Sequence, residues 1–144
     1  MIKDGLLLVN DDAGLTGVNV GFYMTGQGAA FQFLSRSRIS LTAPKDGPMA
    51  GILFFGDRHA SSTQEYIVTS DNARVLLGTI YIPRGILKID ANTSVAEDSP
   101  WTAIVADQLN LLKRANMVLR TDYGLTDVPV PKGLGPAKSV RLVQ

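Results

Sequence analysis

Short runs of alternating apolar and polar residues, broken every few positions by Gly, Asn, Asp, Ser or Pro, dominate this chain. Examples are Val18-Asn19-Val20-Gly21-Phe22-Tyr23-Met24, Ala30-Phe31-Gln32-Phe33 and Ile39-Ser40-Leu41. Ile52-Leu53-Phe54, Ile80-Tyr81-Ile82 and Leu87-Lys88-Ile89 continue the series. A side-chain period of two places alternate residues on opposite faces, so each run reads as a strand with one buried face. Phe, Tyr, Ile and Val suit such a surface. Turn residues recur too often for helices of ordinary length.

The runs repeat in groups of three. Gly21-Phe22-Tyr23-Met24 precedes Phe31-Gln32-Phe33, which precedes Ile39-Ser40-Leu41. Gly78-Thr79-Ile80-Tyr81-Ile82 precedes Leu87-Lys88-Ile89 and then Val95. Ala103-Ile104-Val105-Ala106 precedes Leu109-Asn110-Leu111 and then Leu119. An Asn-x-x-apolar phrase accompanies them at Asn72, Asn92 and Asn116. Three short strands per unit make one coil of a parallel β-helix, whose inward apolar rows stack into a continuous core. The expected fold is therefore all-β, a short β-solenoid of about four coils at residues 15–43, 49–75, 76–97 and 101–121. A β-sandwich is the alternative. Asn is expected at the corners because it tolerates left-handed backbone angles. Leu6-Leu7-Leu8-Val9 is expected to cap or extend one end, and Trp101 to Arg120 to form strands rather than a helix.

Two segments depart from the repeat. Residues 56–65 read as a protruding polar loop. Residues 122–144, rich in Pro and Gly, read as a tail packed on or extending from the solenoid domain of residues 1–121. Within the tail, Ser139-Val140-Arg141-Leu142-Val143 is a candidate edge strand.

Composition narrows the chemistry. Hydrophobic residues at 45% allow a substantial core, and charged residues at 19%, below the roughly 25% of an ordinary chain, suit strands and turns. A net charge of +1 from scattered Lys and Arg gives no reason to expect nucleic acid or an anionic membrane as a partner. With no Cys and a single His, there can be no disulfide, no thiolate zinc site, no Cys nucleophile and no multi-histidine metal site within one chain. No apolar run is long enough for a membrane-spanning helix, and Met1-Ile2-Lys3-Asp4-Gly5 lacks a signal-peptide layout.

Asp57, Arg58 and His59 are the densest group of reactive side chains. They read as a binding loop or an acid–base site, or more plainly as a polar turn, and are carried forward as a binding loop. Ser61 and Ser62 lie close by but sit in no nucleophile-elbow motif. Asp11-Asp12 and Glu97-Asp98 raise the ideas of carboxylate-pair glycoside hydrolysis and calcium binding, against which solvated turns are preferred. Trp101, Tyr66, Tyr81 and Phe55 are candidates for an outward aromatic strip that contacts sugars or protein. No catalytic residue, metal site or cofactor is expected, so the chain reads as a non-enzyme.

Four phrases in order bring a family into view: Gly51-Ile52-Leu53-Phe54-Phe55-Gly56-Asp57-Arg58, Leu76-Leu77-Gly78-Thr79-Ile80-Tyr81-Ile82-Pro83-Arg84-Gly85, Ile104-Val105-Ala106-Asp107, and Val128-Pro129-Val130-Pro131 with the terminal Val140-Arg141-Leu142-Val143. Together they resemble the C-terminal region of TadG-like proteins of tight-adherence (Flp-type) pilus systems. The resemblance implies a right-handed solenoid in the periplasm or at the cell surface, as a fragment of a protein anchored to the membrane by an upstream segment. It also implies a non-catalytic role in pilus assembly or adhesion, with pilus-assembly proteins as partners; separately, the two open ends of a short solenoid, with their unpaired strand edges, make self-association an expectation. Thr102 stands where the family pattern leads one to expect Cys, and Arg36 where an Asn-like corner would fall. A carbohydrate-binding or carbohydrate-active β-helix acting on surface glycans is the alternative function.

Overall fold

The computed structural model describes residues 1–135. The candidate strand at residues 139–143 lies outside them. The chain is an all-β parallel solenoid of about five rungs, each built from short strands on three faces. β1 (Ile2–Lys3), β2 (Leu6–Val9) and β3 (Gly14–Gly17) form the first rung. β4 (Phe22–Thr25), β5 (Ala30–Phe33) and β6 (Arg38–Thr42) form the second. β7 (Ile52–Gly56), β8 (Glu65–Val68) and the start of β9 (Asn72–Ile89) form the third. The rest of β9 with β10 (Ser94–Val95) forms the fourth, and β11 (Thr102–Leu111) with β12 (Asn116–Met117) the fifth.

Each strand pairs in parallel with its equivalent one rung on. Along the second face, Val9 pairs with Phe33, Phe33 with Val68, Val68 with Ile89, and Ile89 with Leu111. Phe33 and Ile89 are fully buried in this shared row, whereas Leu111, with no described strand beyond it, is 50% exposed. Phe31, Phe33 and Phe54 meet in the core with ring centroids 4.3 to 6.0 Å apart, and Phe22 stacks on Phe54 at 5.1 Å.

Five rungs stand where four coils are expected, because Leu6-Leu7-Leu8-Val9 extends the stack as part of a further rung over residues 2–17. The corner logic also differs. Asn72 and Asn116 start third-face strands, and of the asparagines only Asn19 has positive φ. The other positive-φ residues besides glycine are Asp4, Asp11, Ser35, Ala96 and Lys113, of which Asp11, Ser35 and Lys113 recur just past a second-face strand. Exposed corners need only a tolerated backbone angle, and a side chain that reaches the neighbouring rung does the rest.

Those corner side chains bridge rungs. Arg36 forms a two-pronged ion pair with Asp12 at 2.9 and 3.0 Å, so the residue in the Asn-like position ties the first rung to the second. Arg74 pairs with Asp98 and Glu97, Lys113 with Asp90, and Lys88 with Glu65. Inside, the short β10 leaves backbone groups of Leu76 without a strand partner. Ser99 Oγ accepts the Leu76 N–H at 2.9 Å and the Thr102 hydroxyl donates to the Leu76 carbonyl at 2.8 Å. Thr102 thus holds the wall by a hydrogen bond, as buried backbone groups demand.

Truncating the central ring tests the core. Phe54→Ala removes a fully buried side chain that touches three other rings, and is expected to cost about 3–5 kcal/mol. Chemical denaturation read by circular dichroism checks this; a loss below about 1 kcal/mol, far under the usual cost of a core Phe→Ala change, would contradict the packing.

Candidate functional site

The alternation that turns Phe22, Phe54 and Ile80 inward turns their neighbours outward. Tyr23, Phe55, Tyr81 and Val105 lie in one register on the first face. Their rings form a ladder: Tyr23 to Phe55 at 5.4 Å and Phe55 to Tyr81 at 5.0 Å, the latter pair stacked. Cross-strand aromatic pairs of this kind stabilise a sheet by about 0.5–1.5 kcal/mol beyond simple burial.

The loop between β7 and β8 stands beside the ladder. Asp57, Arg58 and His59 do not converge on a shared point. Asp57 accepts the His59 backbone N–H at 2.9 Å and the Thr25 hydroxyl at 2.9 Å, and lies 3.2 Å from His59 Nδ1. The His59 N–H, with the Thr25 hydroxyl second, holds the Asp57 carboxyl below the usual Asp range. The His59 side chain is 93% exposed. Arg58 reaches the ladder: its Nε donates to the Tyr81 hydroxyl at 3.0 Å and its guanidinium lies 5.7 Å from the Tyr81 ring centre. Of the loop residues, Asp57 fastens the turn and Arg58 faces the outer surface.

The chain returns over this face after its last rung. Asp127 pairs with Lys45, Val128 is buried, and the Pro129 carbonyl packs against Gly51. Gly51 has φ +76, and any side chain there would collide with that carbonyl. Between the returning segment and the ladder lies a cleft of about 340 Å³. Its floor is Ile52, Phe55, Thr79, Tyr81 and Val105, with Arg58 at the side. Its other wall is Pro131, Lys132, Gly133 and Leu134. A groove of about 290 Å³ on the third face runs between Arg38 and Arg74.

Of the aromatic strip expected from sequence, Phe55 and Tyr81 face outward, but Trp101 and Tyr66 are in the core. Tyr66 packs beside Phe31 at 5.3 Å, and Trp101 meets the edge of Tyr123 at 5.8 Å. Burial raises the Tyr66 hydroxyl pKa. Tyr23, Thr79 and Val105 are not among the site residues the sequence suggests, and aligning the rungs one above the next finds them; the returning segment lies within the tail of residues 122–144. The paired carboxylates are engaged elsewhere, Asp12 with Arg36, and Glu97 and Asp98 with Arg74. Among the described residues, no three His, Asp or Glu side chains are grouped to hold a metal ion.

Comparison with family models, curated proteins and solved structures gives no match. The site is therefore read from its own geometry.

Two measurements probe it. A carboxylate whose pKa is depressed on folding contributes stability above its unfolded value and loses it as pH falls through the lowered one. The side-chain carboxyl carbon resonance of Asp57 should therefore titrate with a midpoint below the ordinary Asp value near 3.9. A midpoint above that value would contradict the turn geometry. Gly51→Ala should displace the Pro129 carbonyl and raise hydrogen exchange in residues 126–135 several-fold, while the rungs remain protected. Unchanged exchange there would contradict the contact.

Proposed function

We propose that this chain is a non-catalytic module of a bacterial envelope pilus-assembly protein that docks a partner on the outer face of its first sheet. The observation that carries this reading is the outward ladder of Tyr23, Phe55 and Tyr81 with Arg58 beside it. Tyr and Arg are the residues that dominate protein recognition surfaces, because each covers apolar area while keeping polar contacts. The reactive side chains nearby are engaged within the turn: Asp57 accepts from the Thr25 hydroxyl and the His59 backbone N–H, with the His59 ring Nδ1 3.2 Å away. The four phrases that resemble TadG-like proteins support the pilus-assembly setting, with the module outside the cytoplasm on an anchored protein. No described helix is long and apolar enough to cross a membrane.

A second reading, binding of surface glycans, is favoured by the same ladder and by the cleft beside it. Aromatic rings give sugars flat apolar contact while nearby hydroxyls and charges fix their orientation.

Site-specific photo-crosslinking from Tyr23 and Phe55 in the full-length protein, within its own host, tests the first reading. Adducts to proteins encoded with the pilus-secretion genes are expected, and Phe55→Ser with Tyr81→Ser should reduce surface pili several-fold without loss of folded protein. Normal piliation in that variant would overturn the reading.

A further inference from the structure

We propose that the cleft between the aromatic ladder and the returning segment binds an acidic saccharide, a glycan carrying uronic-acid carboxylates. This rests on the glycan reading and specifies its ligand. Three observations converge on the cleft.

The first is an unpaired hydroxyl. Thr79 is 1% exposed, lines the cleft, and its Oγ1 has no hydrogen-bond partner. A buried hydroxyl left alone is costly, and of the unpartnered buried polar atoms among the described residues (Ser37 Oγ, Tyr66 Oη, Thr79 Oγ1 and Trp101 Nε1) Thr79's belongs to a residue that lines this cleft. A sugar hydroxyl both donates and accepts and suits that position.

The second is charge. Arg36, Lys45, Arg74, Lys88 and Lys113 all pair with carboxylates. Arg58 and Lys132 both line the cleft and, like Lys3, Arg38, Arg84, Arg114 and Arg120 elsewhere, form no ion pair among the described residues, so the cleft brings two uncompensated cations to one concavity. Arg58 commits its Nε to the Tyr81 hydroxyl, which holds the side chain over the ring. Its terminal nitrogens make no hydrogen bond with the described residues. A guanidinium anchored in this way presents a planar fork that matches a carboxylate.

The third is shape. Phe55 and Tyr81 give a flat apolar floor, and Tyr23 extends the same ladder beyond the cleft. A pyranose ring has an apolar C–H face and a polar rim. One uronate unit would lie on Phe55 and Tyr81 with its carboxylate between Arg58 and Lys132, and a neighbouring unit would continue along the ladder toward Tyr23. A small aromatic acid would meet the floor and the cations but leave the Thr79 hydroxyl unmatched.

The experiment titrates the full chain, ¹⁵N-labelled, with oligogalacturonate and with a neutral galacto-oligosaccharide of the same length, at low salt. The acidic glycan should bind about ten-fold tighter, shift the Phe55, Thr79 and Tyr81 resonances, and weaken several-fold as salt rises from ~50 to ~500 mM. Arg58→Gln should lower its affinity about ten-fold, and Thr79→Val, which keeps the side-chain shape, several-fold. Amide spectra of both variants, read beforehand, report whether the fold is intact. Equal affinity for the neutral glycan would overturn the acidic assignment while leaving glycan binding standing. No binding to either glycan would overturn both, and leave the protein-docking reading to be judged by its own piliation test. Tight binding undiminished in both variants would put the ligand elsewhere and overturn the proposal.

Discussion

Lateral hydrogen bonding between parallel strands, in a register preserved from rung to rung, is the constraint on which this molecule rests. Parallel strands have no intrinsic core. They acquire one only if residues of like character arrive at the same depth in each turn of the chain. In the second face that condition is met along Val9, Phe33, Val68, Ile89 and Leu111. Because the side-chain period is two, a slip of one residue would turn a whole row to solvent. Extra chain is therefore accommodated where it does not disturb the count. The 43–51 and 57–64 segments sit at corners, single extra residues are taken up at Arg74 and Leu53, and Asp107 stands opposite the three residues Pro83-Arg84-Gly85.

The same register organises the outside. Outward residues stack as faithfully as inward ones, so a sequence that places an aromatic at equivalent positions in consecutive rungs builds a ladder without any long-range design. Charge follows the same rule. Asp12 with Arg36 and Asp90 with Lys113 are neighbours in space because they are one turn apart in the chain. Arg58 follows it too, since the Tyr81 hydroxyl it meets stands one turn further along the chain.

The solenoid was legible because its rungs repeat the three-strand grouping with readable alternation, most clearly around Phe22, Ile80 and Ile104. The first rung was harder to see. Its opening strand has two residues, and Leu6-Leu7-Leu8-Val9 is a continuous apolar run without visible period. The Asn phrase misled for a physical reason: Asp11, Ser35 and Lys113 show that the corner selects for a tolerated φ and a useful side chain, not for one residue type. The loop at 56–65 was legible from composition. Its division of labour was not, because the Tyr81 that anchors Arg58 is 23 residues away and becomes a neighbour only once the rungs are stacked. Trp101 and Tyr66 were expected outside for the same reason, since whether an aromatic faces in or out depends on parity within its strand, and local hydrophobicity does not report it.

A stack of rungs holds together through nearest neighbours, so it can peel from an end one layer at a time. The segment that returns from the fifth rung to Lys45 and Gly51 breaks this locality. It works as a clasp across layers that share no direct backbone pairing. Tension applied beyond residue 135 would reach the clasp before the terminal rung, and the outer layers would be shielded until it opened. The connection would thereby raise the force needed to strip rungs from that end.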